Sequence, residues 1–117
     1  MPLQVIVTEG ILSPDAEKQV IRELTRLFLD LHGLSDNRFM KPGVVGEVAP
    51  VARGRTFAGG EPVDIAIIEL KSPSFALGTP ELKAAWMAKS ADIVERAAAG
   101  KLARSQIFAN VVYAVDG

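Results

Sequence analysis

The sequence predicts an α+β fold made of a duplicated β-α-β unit, in which a four-stranded mixed sheet carries two helices on one face. Two observations predict this fold. The pattern of apolar residues follows the order strand, helix, strand, and then repeats in the same order. Both helices begin with a hydroxyl residue, a proline and an acid, in Ser13-Pro14-Asp15 and Thr79-Pro80-Glu81. We therefore expect a single domain over residues 1–117, with repeat halves at about 1–52 and 61–117.

The first half opens with a strand over residues 3–8, which alternate and are rich in β-branched side chains. Ser13 is expected to cap the first helix, because its hydroxyl accepts a hydrogen bond from a free N–H of the first turn. Gly33 is expected to end this helix. A second strand is expected around residues 44–51. The apolar stripe of the helix consists of Val20, Ile21, Leu24, Leu27, Phe28 and Leu31.

The second half follows a glycine-rich stretch, residues 52–60, which we expect to form a loop or an irregular hairpin. Residues 63–70 form the clearest strand pattern in the chain. The second helix is expected to begin after Thr79 and to stop at Gly100, and residues 106–114 are expected to form the last strand. The apolar stripe of the second helix consists of Leu82, Ala85, Trp86, Ile93, Val94 and Ala97.

The third and fourth long strands are apolar on both faces, although two helices cover only one face of a sheet. A monomer would then expose a large apolar patch, and the simplest remedy is closed, symmetric self-association through the uncovered face. In the third long strand, one face carries Val63, Ile65 and Ile67, and the other carries Ala66, Ile68 and Leu70. In the last strand, one face carries Ile107, Ala109 and Val111, and the other carries Phe108 and Val112.

Composition narrows the classes of function. The formal net charge is −1, so nothing favours binding to nucleic acid or to an anionic membrane surface. The chain has no cysteine and one histidine, which excludes thiolate metal sites and multi-histidine zinc sites. We expect no metal and no cofactor. No signal peptide and no membrane-spanning apolar stretch is present, which favours a cytoplasmic protein.

Pro2 is the candidate catalytic residue. Removal of Met1 would make its nitrogen a free secondary amine, whereas retained Met1 leaves that nitrogen an amide without basicity. An ordinary α-amino group has a pKa of about 7.7 to 8.0, and burial or a nearby cation lowers this pKa further. A base with a pKa near the working pH suits proton abstraction next to a carbonyl. Alternatively, Pro2 simply opens an edge strand, where its missing N–H costs nothing.

Several motifs share an order and spacing with one known family: Met1-Pro2, Leu12-Ser13-Pro14, His32-Gly33-Leu34-Ser35, Thr56-Phe57-Ala58-Gly59-Gly60 and Asn110. Over nearly its whole length the chain resembles the N-terminal-proline tautomerase superfamily. Within it, the chain is similar to members with two fused β-α-β units, which are like macrophage migration inhibitory factor or cis-3-chloroacrylic acid dehalogenase.

This resemblance implies a homotrimer with a central barrel of three sheets, helices outside, and a site around each Pro2. It implies that Pro2 moves a proton at the carbon beside a carbonyl and so interconverts enol and keto forms of a small enolisable carboxylate. In dehalogenase-like members the proline instead stays protonated, while water adds to a haloalkene acid. That alternative needs a group to activate water, and the sequence singles out neither Glu47 nor Glu69 for this role.

Five further residues are predicted to bind substrate. Lys71 ends the third long strand, where relatives place pocket residues, and Arg55 suits carboxylate binding from a loop. Asn110 is a polar residue in an apolar strand, and Phe108 shares its side of that strand. His32 lies close to the position of a histidine in dehalogenase-like relatives, although capping of its helix is the simpler role. The alternatives are a solvated charge for Lys71 and Arg55, a hydrogen bond to the backbone for Asn110, and core packing for Phe108.

Two alternatives remain open, one for the function and one for the fold. The chain can be a trimeric binding protein that keeps the fold without the chemistry. It can also be a dimeric ferredoxin-like α+β protein, in which Pro2 has no special role.

Overall fold

The computed structural model describes residues 1–113. A four-stranded sheet has the strand order β2-β1-β5-β6, in which β1 is parallel to β2, β5 is parallel to β6, and the central pair β1 and β5 is antiparallel. A two-stranded hairpin, β3-β4, stands apart from this sheet. The elements are β1 (Pro2–Thr8), α1 (Pro14–Leu31), β2 (Val45–Val51), β3 (Phe57–Ala58), β4 (Glu61–Pro62), β5 (Ala66–Ser72), α2 (Pro80–Ala98) and β6 (Ile107–Tyr113).

This topology confirms the predicted duplicated β-α-β unit and its mixed sheet. Each unit pairs its two strands in parallel and joins them by a helix, as β-α-β connections do. The two units meet at the antiparallel pair of β1 and β5. A ferredoxin-like fold splits its β-α-β units, so that the two strands of a unit are not neighbours. The ferredoxin-like alternative is therefore wrong.

Both helices begin as the sequence predicts. The Ser13 hydroxyl accepts a hydrogen bond from the backbone N–H of Ala16 at 3.1 Å, and the Thr79 hydroxyl accepts one from Leu82 at 3.1 Å. In each case a proline follows the cap at the first helical position, where its missing N–H leaves no donor unpaired. The first helix ends at Leu31 with His32 as its C-cap, and Gly33 follows with a positive φ of 67° that suits glycine.

The third long strand lies three residues later than predicted at its start and two later at its end. Val63 and Ile65 do not join the ladder of the main sheet, because their N–H groups bond elsewhere. The Val63 N–H donates to the Thr56 carbonyl at 2.9 Å, and the Ile65 N–H donates to the Thr8 hydroxyl at 2.9 Å. The bond to Thr8, together with the 2.8 Å contact of the Thr8 and Thr56 hydroxyls, attaches the β3-β4 hairpin to the end of β1. The sequence predicted a loop or an irregular hairpin in this stretch. The last strand was predicted to reach Ala114, which lies outside the described residues.

The hydrophobic core fills the space between the sheet and the two helices. Alternate residues of β1 and β5 point into it, among them Leu3, Val5 and Ile68, which are buried. Phe28 of α1 and Trp86 of α2 are the largest fully buried side chains, and their rings meet edge to face with centroids 6.2 Å apart. The sheet face that holds these residues is thus covered, as predicted.

The opposite sheet face, which we call the open face, carries an apolar row and a polar row. The apolar row crosses Ile6, Ile67 and Phe108, which the strand register places side by side. Phe108 is 45 % exposed and Val112, on the same face, is 42 % exposed. The polar row lies next to the apolar one and consists of Glu47, Gln4, Glu69 and Asn110. The predicted apolar character of this face is therefore confirmed only in part.

Candidate active site

A cleft of about 290 Å³ lies on the open face, at the end of the sheet where β1 begins. Pro2 and Lys71, both predicted site residues, line this cleft together. A larger cavity of about 690 Å³ lies between α1 and residues 35–44, but it contains none of the predicted site residues. The smaller cleft is therefore the candidate site. Its lining consists of Pro2, Leu3, Gln4, Val45, Gly46, Glu47, Glu69 and Lys71.

Strand register explains why these residues meet. Even-numbered residues of β1 face away from the helices, so Pro2 and Gln4 point to the open face. Gln4 pairs with Glu47 of β2 on one side and with Glu69 of β5 on the other. Lys71 follows Glu69 by two residues and therefore shares its face. Three adjacent strands thus contribute to one cleft.

The charges in the cleft are two carboxylates and one ammonium. The Lys71 Nζ lies 3.8 Å from a Glu69 carboxylate oxygen, in a pair whose side chains are 58 % and 24 % exposed. Such a solvated pair contributes little stability, so the lysine is free to turn toward another anion. The Gln4 amide donates a hydrogen bond of 2.9 Å to Glu47. The cleft therefore offers both a mobile cation and two acceptors.

Met1 occupies the start of the β1 ladder. Its amino group donates to the Gly43 carbonyl at 2.7 Å, and its carbonyl accepts from the Val45 N–H at 3.1 Å. With Met1 in place, the Pro2 nitrogen is a tertiary amide and cannot accept a proton. Basic chemistry at Pro2 requires removal of Met1, as the sequence analysis assumed.

Four of the five predicted substrate-binding residues lie outside the cleft of the single chain, namely His32 and the three residues Arg55, Asn110 and Phe108. Arg55 follows the end of β2, and that end pairs with Thr8 rather than with Pro2. It is separated from Pro2 by roughly 20 Å along the strand. Asn110 lies beside Glu69 in the polar row, one strand beyond the cleft, and Phe108 lies beside Ile67. A role of these three in substrate binding stays a prediction.

His32 is the C-cap residue of α1, and both of its ring nitrogens are engaged. The Leu77 N–H donates to Nε2 at 2.9 Å, so Nδ1 carries the proton and donates to the Phe28 carbonyl at 2.8 Å. The ring also packs on Phe28, with centroids 4.3 Å apart. This bonding joins the end of α1 to the segment between β5 and α2, and His32 does not line the cleft.

Glu69 and Glu47 are site residues that the sequence analysis did not select. Strand alternation could have predicted Glu69. Lys71 was placed in the site by its strand position, and the residue two positions before it, Glu69, lies on the same face of the strand. Glu47 required the pairing of β1 with β2, which sequence alone does not give. Within residues 1–113 no three His, Asp or Glu side chains come together as a set of metal ligands. Neither helix of that part of the chain is long and apolar enough to span a bilayer.

Comparisons with known proteins agree on the fold. No protein-family model and no curated protein matches the chain. Among solved structures, N1, a member of the cis-3-chloroacrylic acid dehalogenase family, matches with a TM-score of 0.82 at 16 % identity, over 97 % of this chain and 75 % of that one. Pt0534 inactivated by 2-oxo-3-pentynoate matches with a TM-score of 0.80 at 14 % identity, over 97 % and 86 %.

A wild-type fused 4-OT described as a symmetric trimer also matches, with a TM-score of 0.76 at 18 % identity, over 97 % of this chain and 84 % of that one. The chain therefore has the tautomerase fold, and the resemblance drawn from its motifs is confirmed at the level of the fold.

The bonding of His32 generates a test of its role. Replacing His32 with alanine leaves the Leu77 N–H without its acceptor, and we expect a loss of about 1–3 kcal/mol in the free energy of unfolding. Urea denaturation measures this loss, with His32→Gln as the control, since its amide oxygen can accept the same bond. If His32 instead binds substrate, His32→Ala keeps its stability and loses affinity for 2-oxo acids.

Proposed function

We propose that this protein is an enzyme that interconverts the enol and keto forms of a small 2-oxo acid, with Pro2 as the general base after removal of Met1. One observation carries the proposal: Pro2 and a lysine line one solvent-accessible cleft at the start of β1. The fold supports it, because proteins of this fold include one described as inactivated by a 2-oxo acid, 2-oxo-3-pentynoate.

In the ketonisation direction, the protonated amine of Pro2 gives a proton to carbon 3 of the enol, while the enol O–H proton passes to a solvent water and the oxygen becomes the carbonyl. In the reverse direction, the neutral amine takes a proton from carbon 3, and the electron pair moves to the carbonyl oxygen as an enolate. The Lys71 ammonium is placed to stabilise that developing negative charge. Proton transfer by a positioned group contributes roughly 10²- to 10⁴-fold in rate.

The charge balance of the cleft is compatible with an anionic substrate once Met1 is gone. The free amine of Pro2, when protonated, adds a second positive charge to that of Lys71, and together they offset Glu47 and Glu69. Because the Lys71 side chain is 58 % exposed and its nitrogen lies 3.8 Å from Glu69, the lysine can turn to a substrate oxygen at little cost.

We also infer that the protein is a homotrimer that buries the open face. Ile6, Ile67 and Phe108 form the apolar row on that face, and a monomer leaves it in water. Fused 4-OT proteins of the same fold are described as trimers. Arg55, Asn110 and Phe108 do not reach the cleft of their own chain. In a trimer they would be available to the cleft of a neighbouring chain.

The assembly is tested by native mass. We expect three copies per particle in analytical ultracentrifugation, and we expect Ile67→Glu to yield monomers, because three charges would then be buried together. Ala84→Glu, which adds the same charge to an exposed position of α2, is the matched control and should leave the trimer intact. A stable dimer, or a monomer for the wild type, contradicts the inference.

The catalytic role of Pro2 is tested with a chain whose N-terminus has been checked by mass spectrometry. For the form that begins at Pro2, we expect measurable ketonisation of an aryl 2-oxo acid, and a decrease of at least about 100-fold in kcat/KM for Pro2→Ala. A form in which an N-terminal extension keeps Met1 attached serves as control and should be inactive. Equal rates for the wild type and Pro2→Ala remove proline from the mechanism, and no turnover favours a binding protein.

A second candidate function is hydration or hydrolytic dehalogenation of a haloalkene acid on the same scaffold. The observation that favours it is the presence of Glu47 and Glu69 in the cleft with Pro2. Carboxylates near an amine favour its protonated form, which suits a proline that acts as an acid. Either carboxylate can take a proton from the attacking water as the new C–O bond forms, while Pro2 protonates the neighbouring carbon.

Substitution of the acids separates the two functions. If water addition is the reaction, Glu69→Gln or Glu47→Gln lowers the rate with a 3-haloalkenoic acid by roughly 10²-fold or more, while ketonisation of a 2-oxo acid changes little. Halide release measures the first reaction, and ultraviolet absorbance of the enol measures the second. Glu61→Gln, at an exposed position of β4 outside the cleft, is the control for a change in net charge alone.

A further inference from the structure

A second concave site lies on the helix side of the sheet, away from the open face. It is the cavity of about 690 Å³ between residues 22–30 of α1 and residues 35–44, and we call it the α1 cavity. Its volume is in the range of about 300–1,000 Å³ that is usual for small-molecule sites. Leu29 and Val44, which are buried, form an apolar floor. The α1 cavity therefore has the size of a ligand site.

Hydrogen bonds hold the wall of the α1 cavity that lies opposite α1. The Leu34 N–H donates to the Leu29 carbonyl at 2.8 Å, which keeps residues 35 and 36 next to the end of α1. The Asn37 side chain accepts hydrogen bonds from two backbone N–H groups of the residues that follow it, at 2.9 and 3.0 Å. This wall is therefore a bonded part of the fold.

Five charged side chains line the α1 cavity, and they give it an excess of one positive charge. The cations are Arg22, Arg26 and Lys41, and the anions are Asp30 and Asp36. Within residues 1–113 none of the five is in an ion pair, whereas three other arginines each pair with a carboxylate. The Arg22 guanidinium donates to the neutral Gln19 amide at 3.1 Å. The three cations are therefore available to an anionic ligand.

The charges along α1 separate a positive end of the cavity from a negative end. Arg22, Arg26 and Asp30 follow one another at intervals of four residues, so they lie on one helix face, about 6 Å apart along the axis. Two cations one turn apart repel each other, and an anion between them offsets this repulsion. Asp36 lies close to Asp30, because the bond of Leu34 keeps its segment at the end of α1.

We propose that the α1 cavity binds a phosphate monoester of a small hydroxylated molecule, such as a sugar phosphate. The phosphate lies at Arg22 and Arg26, with Lys41 reaching it from the opposite wall. The hydroxyl groups donate to the carboxylates of Asp30 and Asp36. This binding function is additional to the proposed enzymatic function and does not depend on it.

The chemistry of the lining favours this class of ligand over other anions. A guanidinium presents two parallel N–H groups that match two oxygens of a phosphate. The carboxylates of Asp30 and Asp36 only accept hydrogen bonds when they are ionised, so they repel a second anionic group and favour hydroxyl donors. The apolar floor of Leu29 and Val44 suits the C–H face of a sugar. A dicarboxylate that spans the cavity would meet like charge at one end.

The α1 cavity and the cleft at Pro2 lie on opposite sides of the start of β2. Val44 lines the α1 cavity, and the next residue, Val45, lines the cleft. Successive residues of an extended chain point to opposite faces, so the two sites are separated by the backbone. Ligand binding in the α1 cavity therefore requires no removal of Met1, and association through the open face leaves this cavity accessible.

The first arm of the test measures binding by isothermal titration calorimetry. The probes are glycerol 3-phosphate, glucose 6-phosphate and adenosine 5′-monophosphate, with inorganic phosphate and glucose as controls. We expect at least one monoester to bind one site per chain with a Kd below about 1 mM, and at least about tenfold more tightly than inorganic phosphate. The Kd should be the same for the form that begins at Pro2 and for a form with Met1 kept by an N-terminal extension. If no monoester binds more tightly than inorganic phosphate, the proposal is wrong.

The second arm removes the cations one at a time. We expect Arg22→Gln and Lys41→Gln each to raise the Kd of that monoester at least about tenfold, because each loses a charged hydrogen bond. Arg38→Gln is the matched control, since Arg38 is exposed in the same segment but does not line the cavity. It should raise the Kd less than about threefold, through net charge alone. Equal losses in Arg38→Gln and Arg22→Gln would show nonspecific attraction and overturn the proposal.

The third arm tests the negative end with a change of opposite sign for two ligands. Asp30→Ala removes an acceptor, so we expect the monoester to bind more weakly. The same change removes a negative charge, so inorganic phosphate should bind more tightly. Tighter binding of both ligands would mean that no hydroxyl group is recognised at this end, and would contradict the proposal.

The outcomes remain separate from those for the proposed function. We expect Arg22→Gln to keep the kcat/KM of the wild type for an aryl 2-oxo acid, and the monoester at saturation to leave KM unchanged. Competition between the monoester and the 2-oxo acid would place the monoester in the cleft and overturn this proposal. If Pro2→Ala leaves turnover unchanged while Arg22→Gln still weakens monoester binding, the proline mechanism falls and the α1 cavity stands as a ligand site.

Discussion

The position of β1 in the middle of the sheet is the constraint on which the structure depends. A first strand at an edge would leave the N-terminus solvated, but β1 pairs with β2 on one side and with β5 on the other. Its odd residues supply the core, and its even residues supply the open face. The ladder with β2 continues to Pro2, which pairs with Val45, and the ladder with β5 begins at the next residue, Leu3. The start of the chain therefore lies inside the sheet, and a functional group placed there has defined neighbours.

The same constraint explains the polarity of the open face. Glu47, Gln4 and Glu69 stand side by side only because β1 aligns β2 and β5 in one register. The polar row is adjacent to the end of the sheet that holds Pro2, while the apolar row lies farther from it. If copies of the chain associated through the open face, the apolar row would be buried at the centre of the interface. The site residues would then lie near the rim of that interface. That arrangement leaves the site open to small molecules.

Local residue chemistry was sufficient to predict most of the fold. Ser13 and Thr79, each followed by a proline, mark helix starts that need no tertiary information. The start of β5 could not be predicted in this way. Residues 63–65 have a good strand pattern, yet the Thr8 hydroxyl and the Thr56 carbonyl capture their N–H groups. Those partners are about 57 and 7 residues away along the chain, beyond the reach of a periodicity rule.

The candidate site was predictable only where one strand determined it. Pro2 and Lys71 were selected from their positions at strand ends, and the structure brings them together. Glu47 was not selected, because its place in the site depends on the pairing of two strands that lie more than 40 residues apart. Arg55 was selected for its chemistry, but the parallel pairing of β1 and β2 carries it to the far end of the sheet. Residue type suggests a reaction, whereas strand register determines which residues meet.

The near two-fold relation between the two β-α-β units has a consequence for how many sites one chain can hold. The relation maps the start of β1 onto the start of β5, so that the end of the sheet that holds Pro2 corresponds to the opposite end, where β5 begins. At that end the chain is continuous, so its backbone nitrogens are ordinary peptide nitrogens without basicity. The hydroxyls of Thr8 and Thr56, 2.8 Å apart, occupy this second end together with the hairpin. A chain built from two such units therefore has one terminal amine for the pair, and hydroxyl groups and a hairpin lie at the end where a second amine would otherwise be.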